Sequence, residues 1–203
     1  MIEWNFVEQN ETKPIELQPA PEPAPESKSR GFWRDMLETI LMAVVLFLIL
    51  NTITSRVRVY NISMQPTLKE GNLLVVNKMA YKLGSPKRGD IIVFHYQGTM
   101  NEDYIKRVIG LPGDRVEVSG GVVRINGQVI TEPYLADLPN YAGVWTVPEG
   151  DLFVLGDNRN HSSDSHDWGF VHQNWVVGKA VVIYWPLDRI RLLTSPNLVQ
   201  AAP

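Results

Sequence analysis

No charged side chain occurs between Glu38 and Arg56, and within that interval Ile40 to Leu50 is an unbroken apolar run. Wound as an α-helix at ~1.5 Å per residue, residues 39–55 reach about 25 Å, slightly short of a ~30 Å hydrocarbon core. A core helix of a soluble domain would show a polar face, and this run has none. A cleaved export signal needs a short leader and a small-x-small cut site. Here more than thirty residues precede the run, and Asn51-Thr52-Ile53-Thr54-Ser55 follows it, a poor match. The favoured reading is one uncleaved transmembrane helix over 36–55. Trp33 and Arg34 before it, with Arg56 and Arg58 after it, are suited to anchor its ends at the interface. Charge barely orients it, since Lys28, Arg30 and Arg34 lie on one side and Arg56 and Arg58 on the other.

The flanks differ sharply. In residues 1–30, Pro14, Pro19, Pro21, Pro23 and Pro25 sit among Ala, Glu and Gln. With almost nothing to bury, this stretch reads as a disordered tail leaning to polyproline II, a spacer rather than a ligand for a proline-binding domain. From Arg56 onward, short β-rich runs appear at Leu73–Val76, Asp90–Tyr96, Tyr104–Ile109, Val116–Val118, Val122–Ile125, Gln128–Ile130, Asp151–Leu155 and Val176–Trp185. Gly89-Asp90, Pro112-Gly113-Asp114, Gly120-Gly121 and Pro148-Glu149-Gly150 punctuate them, and Asn126-Gly127 is a strong two-residue hairpin signal. No amphipathic helix of ten residues is evident. Residues 56–203 therefore read as one mainly β domain, large enough for its own core.

The chain has 203 residues, a formal net charge of −3 and no cysteine. Without a basic block, a nucleic-acid partner is disfavoured. Without cysteine there is no disulfide framework, thiolate metal site or thiol nucleophile.

Three segments hold polar residues that a β domain does not need for folding: Asn61–Leu68, Asp103–Asp114 and Gly156–Gly169. Blandly, Ser63 is a turn serine near a proline. Lys106 is odder. Alternation puts it on one face with Tyr104 and Val108, and Arg107 on the other with Ile105 and Ile109. One of two adjacent cations in an apolar strand is thus expected to face inward. An inward lysine is costly unless it gives up its proton, which makes it a general base. The competing reading is an edge-strand lysine that blocks aggregation. His161, His166 and His172, with Asp164 and Asp167, match no standard metal spacing, so no metal site is expected.

Four pieces then carry a resemblance: Ser63-Met64-x-Pro66-Thr67-Leu68; Arg88-Gly89-Asp90-Ile91-Ile92-Val93-Phe94; Tyr104-Ile105-Lys106-Arg107-x-x-Gly110-Leu111-Pro112-Gly113-Asp114; and Gly156-Asp157-Asn158-Arg159-Asn160-x-Ser162-x-Asp164-Ser165. In this order and spacing the chain resembles the type I signal peptidases, membrane-anchored Ser–Lys proteases that remove signal peptides. Asp164-Ser165-His166-x-Trp168-Gly169 looks most like the cyanobacterial and thylakoidal branch.

The resemblance implies a signal-peptidase-type β domain, with Ser63 as nucleophile, Lys106 as general base and Ser162 as the hydroxyl that orients the lysine. It implies a supporting ion-pair network containing Asp164 and Arg107, with Arg159 in the same motif. Met64, Leu68, Val57, Val59, Tyr104 and Ile105 would wall the pockets for small substrate side chains at −1 and −3. Asn61 stands where some members carry an oxyanion-hole serine, and its amide is a candidate donor. Ile62 replaces a frequent glycine, and His166 a frequent arginine. No cofactor is implied. The expected partners are signal peptides of exported preproteins and the lipid bilayer. The tail would be cytoplasmic, or stromal in a plastid, with the β domain across the membrane. Two rivals remain: a membrane-tethered, inactive β domain that only binds preproteins or envelope partners, and a self-cleaving peptidase of the SOS-repressor type. The membrane segment and the acidic balance speak against the second.

Overall fold

The computed structural model describes residues 29–98, 102–196 and 198. Residues 1–28, on which the expected proline-rich tail rests, lie outside this range.

Helix α1 runs Ser29–Ile53. It starts seven residues before the expected Met36 because that boundary marked a change in hydropathy. Ser29–Asp35 contains no proline, and its one glycine, Gly31, falls in the first turn of the helix, next to the N-terminus. It stops before Thr54 and Ser55, which join a strand instead. Gly31–Ile53 spans 23 residues, its most apolar 18-residue stretch has a mean hydropathy of 2.3, and the span is about 34 Å of helix. Every side chain from Gly31 to Thr52 is exposed. The Thr39 and Thr52 hydroxyls donate to the carbonyls of Asp35 and Leu48, one turn back, so neither is an unsatisfied donor.

The rest is mainly β. In chain order the strands are β1 (Thr54–Arg58), β2 (Leu73–Asn77), β3 (Ile91–His95), β4 (Asp103–Gly110), β5 (Arg115–Ser119), β6 (Val122–Ile125), β7 (Gln128–Val129), β8 (Gly143–Thr146), β9 (Asp151–Leu155), β10 (Val171–His172), β11 (Val176–Trp185) and β12 (Arg191–Leu192). A one-turn helix α2 (Ser165–Trp168) lies between β9 and β10. The large sheet has the order β1-β2-β11-β3-β4-β9-β10, with β12 beside β11; the small one is β7-β6-β5-β8. All pairings are antiparallel.

Each expected run forms a strand, within a residue or two at its ends. Asn126 and Gly127 take φ of 53° and 85° in the β6–β7 connection, as a two-residue turn of right-twisted strands requires. Four strands escaped the sequence reading. β10 and β12 are two residues long, too short for alternation to register. β8 has no fully buried position, and β1 carries two arginines and pairs along one edge only.

The cores explain why the central strands are apolar on both faces. Ile92, Val108, Leu152 and Val154 pack in one cluster. Their chain neighbours Ile109, Phe153 and Leu155 pack in another, against Val116, Val118, Val123 and Ile125 of the small sheet. A third cluster gathers Val59, Met64, Leu68, Leu74, Ile91, Ala180 and Ile183. Middle strands covered on both sides read as continuous apolar runs. This corrects the expectation that only one cation of β4 turns inward: Lys106 is 3% and Arg107 2% exposed. Each points into a covered face, so each needs its own solution to the burial of charge.

Candidate active site

Ser63 sits in the loop between β1 and β2. Backbone bonds tie the base of the loop together, Val59 N–H to Asn72 O and Gly71 N–H to Val59 O, each at 2.9 Å. The buried Met64 and Leu68 side chains pin it to the core, and Leu68 N–H donates to Met64 O at 2.8 Å. Asn158 clamps it from the far side: its N–H donates to Ser63 O at 3.0 Å and its Nδ2 to Ile62 O at 3.2 Å. The nucleophile candidate thus rides on a loop with little freedom, as a preorganised site needs.

Strand β4 delivers Lys106 to this loop. Its Nζ donates to Ser63 Oγ at 2.8 Å, and both residues are buried. The Tyr104 ring lies 5.8 Å from the same nitrogen. Burial pulls the Lys106 amine down to about 8, while the Asp164 and Asp157 carboxylates pull the other way. An amine near 8 is partly neutral at working pH and so has a lone pair to accept a proton.

Asn61 presents its oxygen to Ser63, taking the backbone N–H at 3.2 Å and Oγ–H at 2.9 Å. An acceptor must face that N–H, which fixes which end of the amide points there. The donor role expected for Asn61 is therefore not the arrangement of this structure. Here its carbonyl occupies the Ser63 N–H that an oxyanion would need.

Ser162 also departs from expectation. Its hydroxyl is buried yet has no hydrogen-bond partner among the described residues, so the orienting bond to Lys106 is not formed. A Cβ built on Gly156 would lie 2.2 Å from Ser162 Oγ and 2.4 Å from Ser63 O. The hydroxyl is packed against the Gly156 backbone beside the nucleophile loop.

The supporting charges form separate pairs. Arg107 makes a bidentate bond to Asp157 at 2.8 and 2.7 Å, donates to Gly89 O at 2.8 Å, and lies 3.8 Å over the Tyr134 ring. Arg159 is paired through both terminal nitrogens with Glu132 and donates to Gly156 O at 3.2 Å. Asp164 accepts from Gly156 N at 2.8 Å and faces His166 Nδ1 at 2.7 Å. Asp164 and Arg107 therefore do not pair with each other; each is already matched by a closer partner. Asp157, Asn158, Gly156 and Glu132 had been given no role from sequence. The first three lie within the quoted Gly156–Ser165 motif, which was the available signal. Glu132, in a Thr-Glu-Pro-Tyr loop, offered none.

Of the expected pocket walls, Val57, Val59, Met64 and Ile105 line a small cleft of about 60 Å³ together with Arg58, Tyr60, Asn61 and Asp103. That volume suits small side chains. Leu68 does not line it; at 0% exposure it is a core residue. Tyr104 stacks on Tyr96 with ring centroids 4.5 Å apart, and it too is absent from the lining. Two larger cavities, of about 390 and 340 Å³, flank Pro66 and Thr67, and neither is lined by Ser63 or Lys106.

A sequence model of the signal peptidase family, peptidase S26, matches residues 33–185. Signal peptidase I of Leptolyngbya laminosa is 43% identical over 187 residues, covering 88% of this chain and 92% of that protein. Probable signal peptidase I-2 of Synechocystis sp. is 41% identical over 177 residues, covering 84% and 81%. A crystal structure of a signal peptidase I from Enterococcus faecalis V583 is 38% identical and covers 47% of this chain and 96% of that one, with a TM-score of 0.43. The first two sources agree with the cyanobacterial form suggested by residues 164–169. With a match over most of its length and relatives this similar, the chain belongs to the signal peptidase family, peptidase S26.

Proposed function

We propose that the protein is a membrane-anchored serine endopeptidase that removes signal peptides from exported preproteins through a Ser63–Lys106 dyad. The observation that carries this is the 2.8 Å contact between two buried groups, a hydroxyl and an amine lowered to about 8. Neutral Lys106 Nζ takes the Ser63 Oγ proton as Oγ bonds to the scissile carbonyl carbon. The carbonyl oxygen, now negative, needs the Ser63 N–H, so the Asn61 carbonyl must swing off that group. The lysine ammonium then gives its proton to the leaving amine as the peptide bond breaks. In deacylation Lys106 accepts a proton from the water that attacks the acyl carbon and returns it to Ser63 Oγ as the acyl–Oγ bond breaks. The small cleft beside Asn61 supports a preference for small residues at −1 and −3. An inactive binding domain would have no need of a buried, part-neutral lysine on a serine.

The exposed, apolar α1 is the membrane anchor in this reading, because such a surface is unfavourable in water. Ser63 is ten Cα steps beyond Ile53, so the chain cannot carry the hydroxyl more than roughly 35 Å from the helix end. The tail is assigned to the cytoplasmic or stromal side and the β domain to the opposite side.

The direct test incubates detergent-solubilised full-length protein with a preprotein, wild type beside Ser63→Ala. Cleavage by wild type alone supports the reading; equal cleavage by both would end it. The pH dependence is a second test. kcat/KM should rise with pH through an apparent pKa of about 8, the value set by burial of Lys106. Lys106→Arg should be inactive at every pH, because a guanidinium does not release its proton. A flat profile from pH 6 to 10 would remove the lysine from the mechanism.

Gly156 gives a third expectation. Any Cβ there meets the Ser63 carbonyl at 2.4 Å, and that carbonyl cannot move without moving the nucleophile. Gly156→Ala should lower cleavage by ~10²-fold while the domain still folds, since displacing a reacting group by about 1 Å costs that much. Full activity would mean that the loop tolerates the shift.

A further inference from the structure

His166 is the one imidazole of the fold set between two carboxylates among the described ion pairs. Its Nδ1 lies 2.7 Å from Asp164 Oδ1 and its Nε2 3.1 Å from Asp167 Oδ1. The Tyr141 ring stacks on it at 3.9 Å and 11°. Behind Tyr141 stand Arg159 and Glu132, which neutralise each other. The Tyr141 phenol is held neutral, its pKa pushed up by burial. The charges that face the imidazole are therefore Asp164 and Asp167. Both ring nitrogens meet acceptors only when both carry a proton, so the geometry is that of an imidazolium.

Asp164 links this cluster to the dyad. It is fully buried, and its second oxygen takes the Gly156 N–H at 2.8 Å. Gly156 in turn packs against the Ser63 carbonyl and the Ser162 hydroxyl. A carboxylate with no access to water, one backbone unit behind the nucleophile, acts on a buried amine with little screening.

We propose that His166 is a positioning residue that tunes the base: as an imidazolium it offsets the Asp164 charge, and when it loses its proton that charge acts in full on Lys106. The proposal rests on the dyad reading for its kinetic arm. The proton on His166 makes Lys106 easier to deprotonate, and the proton on Lys106 makes His166 easier to deprotonate. The hydrogen bond with Asp164, aided by both carboxylates and opposed by burial, raises the His166 pKa above its ordinary value of 6.5. That brings it toward the range in which Lys106 titrates. Two sites that repel each other's protons titrate over a wider interval than one.

The kinetic test follows kcat/KM against pH for wild type, His166→Arg and His166→Gln. A unit charge change at a partly buried site moves a neighbouring pKa by roughly 0.5–1 unit. The apparent pKa of His166→Arg should lie below that of His166→Gln by about that amount, and the wild-type limb should be shallower than either. A merely structural histidine would lower the plateau in both variants without separating their midpoints, and coincident or reversed midpoints overturn the proposal. The second measurement needs no activity. By reciprocity, replacing the lysine by a neutral side chain in Lys106→Met should raise the His166 midpoint, followed by NMR of the ring in the full-length protein, by a similar roughly 0.5–1 unit. An unmoved His166 midpoint overturns the coupling whatever the kinetics show. A wild-type rate that ignores Lys106, with the NMR shift present, would instead count against the dyad alone.

Discussion

Ser63→Ala and Lys106→Ala should each lower preprotein cleavage by ~10⁴-fold or more, and the double variant should be no worse than either single one. The two groups share one proton transfer across a 2.8 Å contact, and members of one such unit are strongly non-additive. Additive losses in single-turnover assays would mean that the dyad is mispaired. The lysine also has a signature in stability. Its amine is lowered from 10.5 to about 8 by burial, so the fold binds the Lys106 proton less tightly than the unfolded chain does. The sign is that of a penalty at low pH: below about 8 the fold must hold an unfavourable ammonium, and the penalty fades as pH rises toward the unfolded value. The lowering corresponds to roughly 3 kcal/mol. Lys106→Met should therefore be more stable than wild type at pH 6, by up to that amount, with the advantage gone by pH 10–11. Chemical denaturation at the two pH values reads the difference. A variant equally destabilised at both would show that the amine is not strained by burial.

The second large effect is expected at Asp157. Its side chain and that of Arg107 are 0% and 3% exposed, so Asp157→Ala leaves a guanidinium buried and unpaired. Breaking such a pair costs about 3–5 kcal/mol, or roughly 6–20 °C in melting temperature for a domain of this size. Replacing both partners by apolar groups, Arg107→Met with Asp157→Leu, should recover most of the loss, because the penalty lies in the orphaned charge and not in the missing attraction. Removing the Asp157 carboxylate also removes one of the two charges that raise the Lys106 amine. Residual cleavage by Asp157→Ala should accordingly shift to lower pH. A melting temperature within about 2 °C of wild type would show that solvent reaches Arg107 after all.

Local signals were enough for much of the fold. Asn126-Gly127 has a conformational requirement that few other dipeptides meet, so the β6–β7 turn was legible without its surroundings. Ile91–Phe94 and Leu152–Leu155 were legible as strands from their apolar runs, but their two-sided burial was not, because it depends on which layers cover each face. The same gap explains Arg107. Alternation assigned it to the face opposite Lys106, but only the packing of both faces shows that it is buried.

Sequence alone determined where the apolar helix lies and that the remainder is mainly β; adjacent cations in an apolar strand drew attention to Lys106, and its pairing with Ser63 came from the resemblance of the four motifs to the family. Tertiary structure alone decided who pairs with whom. Asp157 is 50 residues from Arg107, and Glu132 is 27 from Arg159. It also turned the Asn61 carbonyl onto Ser63 N–H, left the Ser162 hydroxyl without its expected partner, and withdrew Leu68 into the core. The physical reason is range. Turn and periodicity signals act over a few residues and survive in any context. Ion pairing, the lowering of the lysine amine and the aim of a short polar side chain depend on dielectric and on distances across the sheet, and those exist only once the chain has closed.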